Sequence, residues 1–486
     1  MQFGYKKLYI NGILRDASDG GTCQQTCPAT EESVADLAWG TAADADDALK
    51  ASQEAFPAWS AMPLNQRADW MRRLRHAIVC KEEYLRLCVM HEMGKPWAAT
   101  AEDYQTLVKA LDWYPEAMQR LEVRTIPDED DGFTHRIVSK PIGVAVAILA
   151  WNFPLLNLAF KLGPALASGC TIVIKPSEKS ALSAYAVGEI AAEINFPRGV
   201  INILCGPVDD VGKTLSSSRI PRLLTMIGSS AAGRKLIAQG STSIKRMSME
   251  LGGNAPALVF ADADIEKAAK DIAALKFGNS GQICVSPNRI FVQAAVMPEF
   301  VSLLQKEASA IRIGFGRDSG ALMGPMIDES ARQRVDGLVK AAVEEGAHVL
   351  CGGRVPLEPQ KGFYYEPTIL TSVNGEMRLC REEIFGPVAA LLPFEGEEEV
   401  ISAANDTDYG LVAFAYTRDG ARADRLGDRL EFGEVMINGF KYGIDLPHGG
   451  IKESGIGKDC SEMALDDYLV KVRVTTARQT AISGDV

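Results

Sequence analysis

Hydrophobic and polar positions follow two different periods along this chain, and the change of period separates its elements. Residues 44–60 and 64–93 have helical spacing, and a glycine and a proline end the second stretch. From about residue 137 the pattern changes to short apolar runs rich in β-branched residues. The runs at 142–150 and 171–175 are typical of buried strands.

Strands and helices then alternate through the middle of the chain. The first buried strand leads to WNFP and a helix, the second leads to KPSE and a helix, and VINILCG and RLLTMIGSS continue the series. This alternation predicts a parallel, doubly wound sheet, and such sheets bind nucleotides at the carboxyl ends of their strands. A second α/β set begins after about residue 251.

Composition excludes several classes of protein. The 486 residues suit two or three globular domains. No apolar run approaches the roughly 18–20 residues of a membrane span, and the start lacks the long apolar run of a secretory signal, so we expect a cytoplasmic protein. The net charge of −12 argues against nucleic acid or an anionic membrane as a partner. The ten cysteines form no CxxC pair and have no His cluster beside them, so no metal site is expected.

Three side chains could carry chemistry, each with a simpler alternative. Cys284, in GQIC, is either a nucleophile or a small buried core residue. Glu250, in MELGG, is either a general base or a surface carboxylate before a turn. Asn152, in WNFP, either donates to a developing oxyanion or caps the next helix.

Together and in this order, the motifs resemble the aldehyde dehydrogenase superfamily. The similarity runs from YINGILRDAS to IKESGIGKD and includes WNFP, KPSE, IGSSAAGR, MELGGNAP, GQIC, EEIFGP and ANDTDYGL. It implies that Cys284 adds to an aldehyde carbonyl, that Asn152 and the Cys284 N–H form the oxyanion hole, and that Glu250 activates the water that releases the acid. Acylating relatives generally lack this glutamate, so hydrolysis to the free acid is expected.

The resemblance also implies a cofactor site, made by Trp151, Lys175, Ser177, Glu178, Gly228, Ser229, Leu251, Glu383 and Phe385. Lys175 and Glu178 would meet the adenosine ribose, and Ser229 the pyrophosphate. A carboxylate at Glu178 would accept hydrogen bonds from a free 2′-hydroxyl and repel a 2′-phosphate. We therefore expect NAD to be preferred and NADP to be tolerated. Ile227 stands where relatives usually carry Thr, and His448 stands where they often carry an aromatic residue.

The expected substrate contacts mix apolar, polar and cationic side chains: Asn157, Phe160, Val285, Ser286, Lys441, Tyr442 and His448. Lys441 or a protonated His448 would pair with a carboxylate, sulfonate or phosphate tail, unless the first is an exposed loop lysine and the second merely packs against the loop. The sequence resembles the succinate-semialdehyde branch of the superfamily, yet Gly278 and Phe160 stand where that branch usually carries two arginines. We expect a small anionic aldehyde: succinate semialdehyde, lactaldehyde, or a sulfonated or phosphonated short aldehyde. A broad-specificity enzyme for neutral aldehydes and a catalytically silent family member are the alternatives.

The family architecture implies two doubly wound parallel-sheet domains and a small β-flap. The NAD(P)-binding domain would comprise residues 1–121 and 141–250 with a return segment at 441–464. The catalytic domain would comprise 251–440, and the oligomerisation flap 122–140 and 465–486. The flap would join subunits into a homodimer or homotetramer.

Overall fold

The fold was established from a computed structural model that describes residues 2–317 and 319–478. The strands are β1 (Tyr5–Lys6), β2 (Leu8–Ile10), β3 (Ile13–Arg15), β4 (Thr22–Thr26), β5 (Ser33–Ala38), β6 (Arg124–Ile126), β7 (Phe133–Pro141), β8 (Val144–Ile148), β9 (Thr171–Lys175), β10 (Ile201–Ile203), β11 (Leu223–Ile227), β12 (Arg246–Glu250), β13 (Pro256–Val259), β14 (Arg289–Gln293), β15 (His348–Cys351), β16 (Thr368–Thr371), β17 (Val388–Phe394), β18 (Tyr409–Gly410), β19 (Val412–Tyr416), β20 (Glu434–Ile437), β21 (Ile451–Lys452), β22 (Gly455–Ile456) and β23 (Leu469–Ala477). The helices are α1 (Ala42–Ala61), α2 (Leu64–Cys80), α3 (Glu82–Met93), α4 (Thr100–Gln119), α5 (Pro154–Ser168), α6 (Leu182–Glu193), α7 (Lys213–Ser217), α8 (Ser230–Gly240), α9 (Ile265–Phe277), α10 (Met297–Ser309), α11 (Glu329–Glu344), α12 (Arg378–Arg381), α13 (Glu397–Asn405), α14 (Gly420–Arg429) and α15 (Met463–Tyr468). No helix within these ranges is long and apolar enough to cross a membrane.

The first large sheet has eight strands in the order β22-β12-β11-β8-β9-β10-β2-β3. Its five central strands, from β12 to β10, are parallel, and the strands at either end pair antiparallel. Every residue of β9, β10 and β11 is buried, as expected for strands covered on both faces by helices. The predicted doubly wound parallel sheet is confirmed.

The second large sheet has seven strands in the order β15-β16-β17-β14-β13-β19-β20. Only β15 runs antiparallel to its neighbour. Two separate hydrophobic clusters cover the two faces, one around Leu258 and Phe291 and the other around Val259 and Ile290. The alternating inward side chains of β13 and β14 therefore hold helices on both sides of this sheet.

A small antiparallel sheet in the order β23-β7-β6 joins the two segments of the predicted flap. Leu469–Ala477 pairs along the whole of Phe133–Pro141. Residues 479–486 of the predicted flap segment lie outside the described part of the chain. Both β6 and β23 are edge strands with free backbone groups, so a role in joining subunits stays a prediction.

The return segment crosses back to the first sheet after the second sheet is complete. Within it, β22 pairs antiparallel with the carboxyl end of β12, and the following helix α15 packs on α5. The pair β18–β21 ties the same segment to the second half of the chain. This connection brings residues near position 448 to the edge where β12 ends.

Candidate active site

A cavity of about 1090 Å³ lies at the carboxyl ends of the parallel strands of the first sheet. Trp151 and Asn152 follow β8, Gly228 follows β11, and Glu250 ends β12. These three strands are neighbours in the sheet, so residues far apart in sequence share one rim. Cys284, from the loop between α9 and β14, lines the same cavity.

The loop that carries Cys284 has an unusual backbone. Asn279, Ser280 and Gly281 adopt left-handed conformations in succession, with φ of 47°, 58° and 70°. A Cβ on Gly281 would lie 2.1 Å from the carbonyl oxygen of Gly386, so only glycine fits there. This turn presents Cys284 partly exposed at the cavity, which is not the environment of an ordinary core cysteine.

Burial and the nearby Glu250 disfavour the thiolate form of Cys284. Burial, and then the negative charge of Glu250, raise the pKa of the thiol to about 12, while His448 acts in the opposite direction. Since the thiolate is the nucleophilic form, the site needs a proton acceptor and a source of positive charge close to the sulfur.

Glu250 lies within reach of that sulfur. It is only 4% exposed, so the alternative of a surface carboxylate is wrong. One Glu250 oxygen, the Cys284 sulfur and a ring nitrogen of His448 all lie within 4.8 Å of one another. The following glycines allow this approach, because a Cβ on Gly253 would stand 2.3 Å from the Cys284 carbonyl oxygen.

The Asn152 amide points to the nucleophile loop. Its Nδ2 donates to the Gln282 carbonyl at 3.1 Å, two residues before Cys284. Helix α5 has Phe153 at its N-cap and no side-chain capping bond, so the capping alternative for Asn152 is wrong. Asn157 Nδ2 donates to Asn152 Oδ1 at 3.3 Å and to the Ala150 carbonyl at 3.1 Å. Asn157, expected to touch substrate, therefore also holds Asn152 in place.

The groups expected to bind a dinucleotide lie along the same rim. Ser229 is the N-cap of α8, and its Oγ accepts from the Ala232 N–H at 3.2 Å, which leaves the first N–H groups of the helix for a phosphate. Lys175 Nζ lies 3.5 Å from Glu178 Oε1, with Lys175 buried and Glu178 39% exposed. Ser177 is the next polar residue of this loop, and its Oγ accepts from the Lys179 N–H at 3.3 Å.

The opposite wall of the cavity carries Glu383 and Phe385. Glu383 Oε1 accepts from the Gly253 N–H at 3.0 Å, and burial raises the pKa of this carboxyl to about 7. The ring of Phe385 stands perpendicular to Trp151 at 5.4 Å between centroids. Leu251 packs against the backbone of Gly233 in α8. The free N–H groups at the start of α8, the carboxylates of Glu178 and Glu383, and the aromatic rings of Trp151 and Phe385 fit NAD(P).

Some of the expected substrate contacts lie on the cavity wall in the structure, and one does not. Phe160 and the exposed Lys441 line the cavity, and no carboxylate within the described residues forms an ion pair with Lys441. Ser286 is buried, and among the described residues it is not part of the cavity wall. A turn closed by Ser286 N–H to Ile283 O at 3.0 Å holds its backbone. The structure gives no support to Ser286 as a substrate contact.

His448 lines the cavity, as a substrate contact requires, and also touches two carboxylates. Its Nδ1 lies 2.7 Å from Glu434 Oε1, and its Nε2 lies 3.5 Å from Glu250 Oε1. Glu434, at the start of β20, was not predicted at all, and no motif of the sequence singles it out. One face of α4, made by Glu102, Gln105, Thr106 and Lys109, also lines the cavity. Its helical spacing was the only available signal.

Comparison with known proteins identifies the family. The model of the aldehyde dehydrogenase family matches residues 15–474. The chain belongs to the aldehyde dehydrogenase family. It is 39% identical over 465 residues to the NADP⁺-dependent succinate-semialdehyde dehydrogenase GabD of Escherichia coli, with 96% of each chain covered. It is 36% identical to a 3-sulfolactaldehyde dehydrogenase of Pseudomonas putida, over 96% of this chain and 95% of the relative.

Solved structures agree with this assignment. Betaine aldehyde dehydrogenase from Staphylococcus aureus, solved in complex with NAD⁺, superposes with a TM-score of 0.94 at 30% identity, covering 99% of this chain and 97% of that one. The chain is an NAD(P)-dependent aldehyde dehydrogenase that acts on a small-molecule aldehyde. The α/β aldehyde dehydrogenase fold is likewise confirmed.

Proposed function

We propose that this enzyme oxidises a small aldehyde with an anionic tail to the carboxylic acid. The observation that carries the proposal is Lys441, which is exposed on the cavity wall without a carboxylate partner among the described residues. The names of the relatives support it, since both succinate semialdehyde and 3-sulfolactaldehyde carry an anionic group. Lys109, also exposed, adds a second cation on the α4 side of the cavity.

In the proposed reaction, the Cys284 thiolate forms a C–S bond to the carbonyl carbon, and the electron pair of the C=O bond moves to oxygen. Asn152 Nδ2 and the Cys284 N–H donate to that oxyanion. Bound NAD(P)⁺ would supply the acceptor for the hydride on this carbon, which would leave Cys284 carrying a thioester. Glu250 takes a proton from water, the resulting hydroxide adds to the thioester, and the C–S bond breaks to return the thiolate.

NAD is proposed as the preferred cofactor, with NADP tolerated. The carboxylate of Glu178 is exposed enough to accept from a ribose 2′-hydroxyl and to repel a 2′-phosphate. Lys175 beside it is a ready partner for a phosphate when Glu178 turns away. We also propose a homodimer or homotetramer assembled through the free edges of β6 and β23, and a cytoplasmic location.

The test is a panel of aldehydes assayed by NADH formation. It contains succinate semialdehyde, lactaldehyde, a sulfonated and a phosphorylated three-carbon aldehyde, propanal and an ω-amino aldehyde, each with wild type and Lys441→Ala. Lys340→Ala, an exposed lysine on α11, is the matched control. Loss of one charge-assisted hydrogen bond should lower kcat/KM for the anionic aldehydes about tenfold. Propanal should be unaffected.

Two other outcomes reject the proposal in different ways. If propanal or the amino aldehyde leads and Lys441→Ala changes nothing, the pocket does not select an anionic tail. If the protein binds NAD but no aldehyde gives turnover that depends on Cys284, the chain is a silent member of its family.

A further inference from the structure

His448 occupies a position between two carboxylates and the nucleophile. Its side chain is almost fully buried, and its two ring nitrogens face opposite ways. Nδ1 meets Glu434 Oε1 at 2.7 Å, and Nε2 faces Glu250 Oε1 at 3.5 Å with the Cys284 sulfur within 4.8 Å. The backbone fixes the ring as well, because His448 and Asp459 exchange N–H···O bonds of 2.8 and 2.6 Å.

The charges around the ring favour its protonated form. The titratable and charged groups that face it from the surrounding elements are Glu250, Cys284, Glu434, Tyr442, Lys458, Asp459, Cys460 and, through Asp459, Lys161. Burial lowers the pKa of His448, but the neighbouring Cys284, Glu250 and Glu434 outweigh burial and hold that pKa well above its usual value. The two carboxylates, at 2.7 and 3.5 Å from the ring nitrogens, favour a positive charge between them.

We propose that His448, held as an imidazolium by Glu434, stabilises the Cys284 thiolate and so activates the nucleophile of this enzyme. The inference rests on the proposed role of Cys284. The rings of Phe160 and Tyr442 pack against His448, so the imidazolium is the cation in an otherwise aromatic environment. The thiol proton passes to the Glu250 carboxylate, which releases it to solvent before it deprotonates the hydrolytic water. The S–H bond breaks, no electron is lost, and the thiolate remains beside the imidazolium.

The test measures thiol reactivity without aldehyde or cofactor, so that its result is independent of the substrate. Wild type, His448→Phe, His448→Gln and Glu434→Gln are treated with iodoacetamide over a range of pH. The rate of alkylation of the Cys284 peptide is then followed by mass spectrometry. EDTA is present in every reaction, so that trace metal ions do not compete for the thiol. The exposed Cys80 serves as the internal reference in every digest.

Loss of the imidazolium should move the alkylation midpoint of Cys284 to higher pH by about one unit or more, a tenfold slower reaction at pH 7. This is expected for both His448→Phe and His448→Gln. Glu434→Gln should move the midpoint in the same direction, because His448 then loses its proton at lower pH. The Cys80 rate should not change in any variant.

Two results would overturn the inference. If all three variants follow the wild-type pH profile, His448 does not influence the thiolate. If His448→Phe is slow but His448→Gln, which is neutral and fills similar space, reacts like wild type, the ring acts by packing and not by charge. If wild type shows the expected alkylation profile but oxidises no aldehyde, the proposed function is wrong and the inference about His448 stands.

Discussion

Replacing Lys161 with Met should destabilise the first half of the molecule strongly. Lys161 lies on α5, and its Nζ binds both oxygens of Asp459 in the return segment at 2.6 and 2.7 Å. Both side chains are buried, since Lys161 has no exposed surface and Asp459 is 4% exposed. Removing one partner of a buried pair leaves a desolvated charge, at a cost of about 3–5 kcal/mol in the free energy of unfolding.

The melting temperature measures this effect. At roughly 2–4 °C per kcal/mol for domains of 150–250 residues, Lys161→Met should lower Tm by about 6–20 °C. Lys235→Met is the matched control, since Lys235 Nζ also lies 2.6 Å from a carboxylate, that of Asp209, but both side chains are exposed. The control should melt close to wild type.

The pH dependence of the loss gives a sharper check. Burial raises the pKa of Asp459 even with Lys161 present, and removing Lys161 should raise it further. A carboxyl whose folded-state pKa is raised binds its proton more tightly when folded, so its penalty shrinks as pH falls through that pKa. The difference in Tm between wild type and Lys161→Met should therefore be smaller at pH 5.5 than at pH 8. Equal Tm values for Lys161→Met and Lys235→Met at pH 8 would refute the reasoning.

Two further predictions concern turnover. Glu250→Gln removes both the acceptor of the thiol proton and the base for the hydrolytic water, so NADH should form without a burst and at a steady rate reduced by about 10²–10⁴-fold, the usual worth of a general base; a full burst of one NADH per subunit would show that another group accepts the thiol proton. Glu178→Gln should raise the ratio of kcat/KM with NADP to that with NAD severalfold, because the repulsion of a 2′-phosphate is removed, and an unchanged ratio would show that Glu178 does not reach the ribose.

Local patterns predicted the layers of the fold well. The buried runs near β8 and β9 and the turn before α8 lie where the periodicity placed them. Residues that end a parallel strand were also predictable as a group, since strand ends meet at one edge of the sheet. Asn152 and Glu250 follow this rule, since both lie at strand ends and line one cavity.

Contacts made by the return segment were not predictable in the same way. His448 stands in a loop, and its direction depends on the backbone pairing with Asp459 and on Glu434 at the start of β20. Neither His448 nor Glu434 is marked by hydrophobic periodicity or by a position at the end of a parallel strand. Ser286 was equally hard to place, because periodicity does not show which side chains of a loop face a cavity.

Helix α5 explains why a site of this kind contains so many buried charges. Asp103 Oδ2 binds Lys95 Nζ at 2.7 Å, while its Oδ1 accepts from the Leu156 N–H in the first turn of α5, and Lys161 binds Asp459 one to two turns later. Buried ion pairs add little to stability compared with apolar residues of equal size, but they accept only one arrangement of their partners. Asn152 lies two residues before α5, and Asp459 pairs with the backbone of His448. These ion pairs therefore hold the proposed oxyanion donor and the proposed thiolate-stabilising cation relative to each other. The buried ion pairs thereby fix the geometry around the Cys284 sulfur, where a displacement of about 1 Å can lower the rate on the order of 100-fold.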